Sequence, residues 1–123
     1  MRHILFVDDE QQVLNGLQRL LRPRRHEWHM SFVLGGEAGL ASLDEAPYDV
    51  IVCDMRMPGV DGATVLMHVQ EHYPHMVRVV LSGHTELDGT LRALPVAHQF
   101  LSKPCDPDVL KEVIERTVAL QGC

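Results

Sequence analysis

Five short apolar runs alternate along this chain with segments of helical period, and that alternation limits the folds open to it more than any other feature. The runs cover residues 4–7, 30–34, 50–53 and 77–81, with a weaker one around 97–101. Runs this short have the length of buried strands rather than helices. Between the first two, Val13, Leu14, Leu17, Leu20 and Leu21 share a helix face, and the helix should stop near Pro23. Ala38, Leu40, Ala41 and Leu43 suggest a shorter helix before Pro47. Asp61 can cap a third helix with Val65, Leu66 and Val69 inward. A fourth is expected over residues 85–94, weakened by Gly89 in its interior. The last begins near Pro107 behind Asp106, with Val109, Leu110, Val113, Ile114 and Val118 on its apolar stripe.

Strand and helix repeated five times imply a parallel sheet covered on both faces. The first, third and fourth runs are the most continuously apolar and belong in the middle. The second and fifth carry more polar residues, which suits edges. The expected fold is therefore α/β, a doubly wound five-stranded parallel sheet of order 2-1-3-4-5 with five helices. A chain of 123 residues is too short for an eight-unit barrel, and the expectation is a single domain spanning 1–123 with no output domain in this chain, whether it stands alone or is the front of a larger protein.

Charge and cysteine content narrow the function classes. Seventeen acids against eleven Lys plus Arg give a formal charge of -6, which argues against direct nucleic acid binding. The only basic cluster, Arg22, Arg24 and Arg25, reads as a helix end and loop. Three cysteines at irregular spacing make no disulfide framework and suit a reducing cytoplasm. No apolar run approaches the roughly 18 residues of a membrane span, and the apolar stretch before Asp8 and Asp9 is too short to be expected as a signal peptide.

The chemistry should gather where ligands bind in such sheets, at the carboxyl ends of the strands. Asp8 and Asp9 follow the first run, Asp54 the third, Ser82 the fourth and Lys103 the fifth. Three carboxylates at close range need an offsetting cation or a raised pKa. Hard oxygens without His or thiolate partners suit Mg²⁺, with Mn²⁺ as the other candidate. Lys103 adds a point charge suited to phosphate, and Ser82 a hydroxyl donor. Such a set fits phosphoryl transfer, with a carboxylate able to become an aspartyl phosphate.

At these residues the chain resembles the receiver domain of bacterial two-component response regulators. The resemblance covers about residues 2–120. It rests on Phe-Val-Asp-Asp-Glu at 6–10, Cys-Asp-Met-Arg-Met-Pro-Gly at 53–59 followed by Asp61-Gly62, Leu-Ser-Gly-His at 81–84 and Phe-Leu-Ser-Lys-Pro at 100–104. It implies that Asp54 is the phosphoacceptor and that Asp8 and Asp9 hold Mg²⁺, one directly and one largely through water. It further implies that Arg56 lends its backbone carbonyl to the metal, that Ser82 turns toward the phosphoryl group, that Lys103 pairs with it, and that Phe100 is the aromatic switch. A cis peptide at Lys103-Pro104 is implied too. The partners implied are a sensor histidine kinase or phosphotransfer protein on one side and an output domain or downstream protein on the other. The surface of the fourth helix, fifth strand and fifth helix would carry the change, with homodimerisation one possible outcome. The domain would catalyse only its own phosphorylation and dephosphorylation.

Blander readings stand beside these. One of Asp8 and Asp9 could simply cap the first helix, Ser82 could be a turn residue, Lys103 a solvated loop lysine and Phe100 plain packing. Cys53 reads as a small buried strand residue. His68, His72 and His75 have metal-like spacing, but Pro74 should end their helix, so a solvated face is the default reading. Arg56 and His84, each two residues past a site residue, are candidates for tuning the lifetime of the aspartyl phosphate. The rival functions are a receiver-like interaction module that needs no phosphorylation and, further off, a phosphatase or phosphotransferase with its own substrate. The segments at 82–85 and 98–106 look similar to receivers joined to phosphodiesterase-type or related metal-dependent hydrolase outputs. His98 and Gln99 stand where many transcription-factor receivers carry acids.

Overall fold

The structure is a computed structural model and describes residues 2–82, 95, 97–102 and 106–121. Five strands, β1 (Arg2–Asp8), β2 (Trp28–Leu34), β3 (Val50–Asp54), β4 (Val77–Ser82) and β5 (Gln99–Ser102), form one sheet in the order β2-β1-β3-β4-β5. Every neighbouring pair is parallel. Among the described residues four α-helices accompany them: α1 (Gln11–Leu20), α2 (Gly36–Glu45), α3 (Gly62–His72) and α4 (Pro107–Gln121). The helix expected over 85–94 lies outside the described residues, so the expected count of five becomes four here, and the last predicted helix is α4.

The sheet is doubly wound because its central strands alternate. Leu5, Val7, Ile51, Cys53 and Val80 face α2 and α3, where they pack with Leu43, Ala63, Val65, Leu66 and Val69. Ile4, Phe6, Val50, Val52, Val77, Val79 and Leu81 face the other way, onto Leu14 and Leu17 of α1 and Leu110 and Ile114 of α4. β3 is buried along its whole length, and β2, at an edge, is half-buried over most of its own. This is the arrangement in which continuous apolar runs mark central strands.

Three helical residues expected inside are exposed. The inward line of α1 is Leu14, Leu17 and Leu21, so Leu20, one residue and about 100° away, turns out and is 50% exposed. Val109 is turned away from Leu110 and Ile114 for the same reason, and Ala41 from Gly39 and Leu43. The chain leaves α1 through Leu21 into a 3₁₀ turn, Arg22–Arg24, with Pro23 in its first positions. Asp61 caps α3 as expected, its carboxylate accepting the Thr64 N–H at 2.9 Å. Asp106 does the same for α4, accepting from Asp108 and Val109.

A charged clasp holds α4 to the sheet edge. Glu115 accepts from the Arg2 guanidinium at 3.1 Å and from the Trp28 indole N–H at 3.2 Å. Arg24 pairs with Asp108, and Lys111 with Glu27. No helix among the described residues is long and apolar enough to cross a membrane.

Candidate functional site

β1, β3 and β4 end at one rim, and each ends on a residue singled out by position. Asp8 is the last residue of β1, Asp54 of β3 and Ser82 of β4. Register makes them neighbours: Val7 pairs with Cys53 and Asp54 with Leu81, so each pairing is followed at once by a site residue. Ser82 pairs with Ser102, the last residue of β5. Lys103 follows it in the chain and lies outside the described residues, as do His84 and Pro104.

The carboxylates divide into buried and accessible. Asp8 and Asp54 are only 1% and 2% exposed, whereas Asp9 is half-buried and Glu10 exposed. Asp8 turns back to accept the Glu10 N–H at 3.0 Å, which folds the start of α1 over the strand end. A cleft of about 550 Å³ opens above Asp54, lined by Asp9, Glu10, Asp54, Arg56, Met57 and Pro58. The Arg56 side chain is exposed at its mouth, and Met57 is buried in its wall. A more voluminous cleft of about 880 Å³ lies at the other end of the strands, between the C-terminal ends of α2 and α3, and contains none of these residues.

Two close approaches hold the rim together. Gly62 at the start of α3 donates its N–H to the Met55 carbonyl at 3.0 Å. A Cβ on Gly62 would collide with the Asp54 carbonyl oxygen, so only glycine lets α3 begin this near the end of β3. On the other side, the Gly35 N–H donates to the Asp8 carbonyl at 2.8 Å.

Sequence reasoning missed Glu10 as a member of the acidic set. Carboxylate oxygens of Asp8, Asp9 and Glu10 lie within 4.8 Å of one another, the one such group of three or more metal-ligating residues among the described residues. The signal was present, since Glu10 directly follows the acidic pair. All the donors are hard oxygens, and Asp54 opens into the cleft that Asp9 and Glu10 line, so the set fits Mg²⁺ or Mn²⁺.

Other candidates fall away from the rim. Cys53 is fully buried, and its S–H reaches the Asp54 carbonyl at 3.3 Å. Burial, then the carboxylates of Asp54, Asp8 and Asp61, push its thiol well above the usual range, so it stays protonated. The His68 and His72 rings meet on α3 with centroids 4.3 Å apart, tilted by 40°, and no third ligand joins them among the described residues. Phe100 pairs with Val80 in register and packs, half-buried, on the cluster beneath α2 and α3.

Known proteins resemble this chain in sequence and in fold. The family model described as response regulator receiver domain matches residues 4–115. The chain is 35% identical over 121 residues to the hydrogenase transcriptional regulatory protein HoxA of Cupriavidus necator, covering 97% of this chain and 24% of that protein. It is 31% identical over 114 residues to the DNA-binding transcriptional regulator NtrC of Salmonella typhimurium, covering 92% and 24%. Among solved structures, the signal receiver domain of an HD domain-containing protein from Pseudomonas fluorescens Pf-5 matches with a TM-score of 0.89 at 27% identity, over 98% of this chain and 97% of that one. The chain spans about a quarter of the length of these two curated relatives.

Proposed function

We propose that this chain, which belongs to the response regulator receiver domain family, is a phosphorylation-dependent switch with Asp54 as its acceptor. The observation that supports this reading most is the convergence of Asp8, Asp54 and Ser82 at the ends of three adjacent strands, with Asp9 and Glu10 beside them.

In this reading a carboxylate oxygen of Asp54 attacks phosphorus in line. A new P–O bond forms as the bond from phosphorus to the donor breaks, and its electron pair leaves with the donor. The donor is a phosphohistidine of a sensor kinase or phosphotransfer protein, or a small acyl phosphate. When bound, Mg²⁺ or Mn²⁺ supplies charge neutralisation for the phosphoryl oxygens, held by Asp8, Asp9, Asp54 and the Arg56 backbone carbonyl. Lys103 pairs with the phosphoryl group and Ser82 donates to it. The burial of Asp54 and the wall formed by Met57 and Pro58 limit the approach of water to the acyl phosphate.

Phosphorylation adds about -1.5 to -2 charges and three acceptor oxygens at the rim. Ser82 moves toward them, Phe100 fills the space it vacates, and the surface of β5 and its flanking helices changes. A cytoplasmic partner or an output domain reads that surface, directly or through a homodimer. The curated relatives are transcriptional regulators and one structural neighbour belongs to an HD domain-containing protein, so both kinds of output are in view.

The test is intact mass after incubation with Mg²⁺ and acetyl phosphate, with Asp54→Asn alongside. Gain of one phosphoryl group in the wild type alone is expected. No gain in either folded protein would overturn the reading in favour of an interaction module that works without phosphorylation.

A further inference from the structure

β5 is the shortest strand and sits at the sheet edge, yet it carries Phe100 and leads directly to Lys103. Its first ladder pair is Gln99 with Val79. One residue earlier, the pairing is completed in an unusual way. The His98 N–H donates to the Arg78 carbonyl at 2.7 Å, and the Arg78 N–H donates at 2.9 Å to Nδ1 of the His98 ring. A side chain thus takes the place of a main-chain acceptor at the entrance to the edge strand.

The Arg78 side chain reinforces the junction. Its guanidinium donates to the carbonyls of Met76 at 3.1 Å and Pro74 at 3.4 Å, which ties the loop before β4 to the same point. Arg78 is 7% exposed, and its Nη2 lies 3.4 Å from Nε2 of His98. Because Nδ1 accepts a hydrogen bond, the neutral ring carries its proton on Nε2, whose N–H faces the Nη2 donor of Arg78 and makes no hydrogen bond with it. A second proton could go only to Nδ1. It would break the bond to the Arg78 N–H and set an imidazolium beside a guanidinium.

We propose that His98 is a positioning residue that pins β5 to β4 through Nδ1, and that the pin holds only while the ring is neutral. The inference deepens the switch reading and rests on it for its consequence: the strand that carries Phe100, and that Lys103 follows in the chain, docks on β4 in a way that depends on pH. Among the described residues, Arg78 is the charged group that faces the ring, and Ala97 and Phe100 beside it are apolar. Burial, then the Arg78 charge, lower the His98 pKa from its ordinary 6.5. The sign follows. Stability from the neutral ring is full above 6.5 and is lost as the pH falls from there through the lowered value.

The test compares wild type, His98→Asn and His98→Ala by amide hydrogen exchange between about pH 5 and pH 8, each rate divided by that of the unstructured chain at the same pH. Asn places Oδ1 on the same Cγ that bears Nδ1, so it keeps an acceptor that does not titrate. In the wild type, protection of the Arg78 amide is expected to fall about tenfold toward the acid end, the equivalent of one hydrogen bond. His98→Asn should stay protected throughout, and His98→Ala unprotected throughout. Equal protection of the wild type at both ends overturns the proposal. If His98→Ala does not fold, the contrast between wild type and His98→Asn decides alone, and a pH-dependent loss shared by both also overturns it. In a second arm, the ratio of the acetyl phosphate reaction rates of wild type to His98→Asn should fall as the pH is lowered. The exchange arm does not depend on phosphorylation, so it judges the pin even if Asp54 accepts no phosphoryl group.

Discussion

Gly→Ala should act with opposite signs at two positions, and the size of each effect follows from what a Cβ would meet. At Gly62 the new carbon would collide with the Asp54 carbonyl oxygen, 2.6 Å from Met55 Cε and 2.8 Å from Met55 Cα. The Met55 side chain can swing aside, but the other two atoms are main chain at the exit of β3. Overpacking costs about 1–3 kcal/mol, and two unyielding neighbours place this case near 3 kcal/mol. At Gly16, in the middle of α1, nothing lies within 4 Å of the new carbon. There the substitution gains helix propensity, about 1 kcal/mol. For 123 residues the entropy of unfolding is about 0.26 kcal/mol/K. Gly62→Ala should therefore lower Tm by about 12 °C and Gly16→Ala raise it by about 4 °C, read by circular dichroism melts. Acyl phosphate formation should also slow in Gly62→Ala, because α3 must back away from Asp54, and be unchanged in Gly16→Ala. A Gly62→Ala protein that melts with the wild type would refute the close-approach argument.

Thr117 is buried on α4 and its hydroxyl has no hydrogen-bond partner among the described residues, so Thr117→Val should stabilise by about 1 kcal/mol in a urea titration. Glu115→Ala removes acceptors for Arg2 and Trp28. Because the Arg2–Glu115 pair is more than a third exposed, the expected loss is only about 1 kcal/mol, with a change in the emission of the sole tryptophan. Cys53, a protonated thiol without exposure, should resist iodoacetamide in the folded chain and react once guanidinium unfolds it. Peptide mapping that finds native Cys53 alkylated would contradict its placement.

Strand order was legible because burial on two faces leaves an unambiguous mark: Val50 to Cys53 can be apolar throughout only if both sides are covered. Helix faces were less legible. Leu20 and Val109 are as apolar as their buried neighbours, and only the orientation of the helix against the sheet decides which of two adjacent residues points inward. The rim was legible through position alone, since a residue that ends a parallel strand must emerge at the ligand-binding edge. Glu10 went unassigned because its membership depends on how the chain turns into α1. The His98 bond was invisible for a deeper reason. It joins a ring to a main-chain N–H twenty residues away, and no local pattern encodes that pairing.

The sheet also works as a wall. Its two faces support two clusters of buried side chains with no member in common among the described residues. Substitutions on opposite sides should therefore add, while those sharing a side should interact. A lineage built on this plan has two rooms to refurnish separately: the one beneath α1 and α4 can drift in shape and volume while the one beneath α2 and α3 keeps faith with the rim.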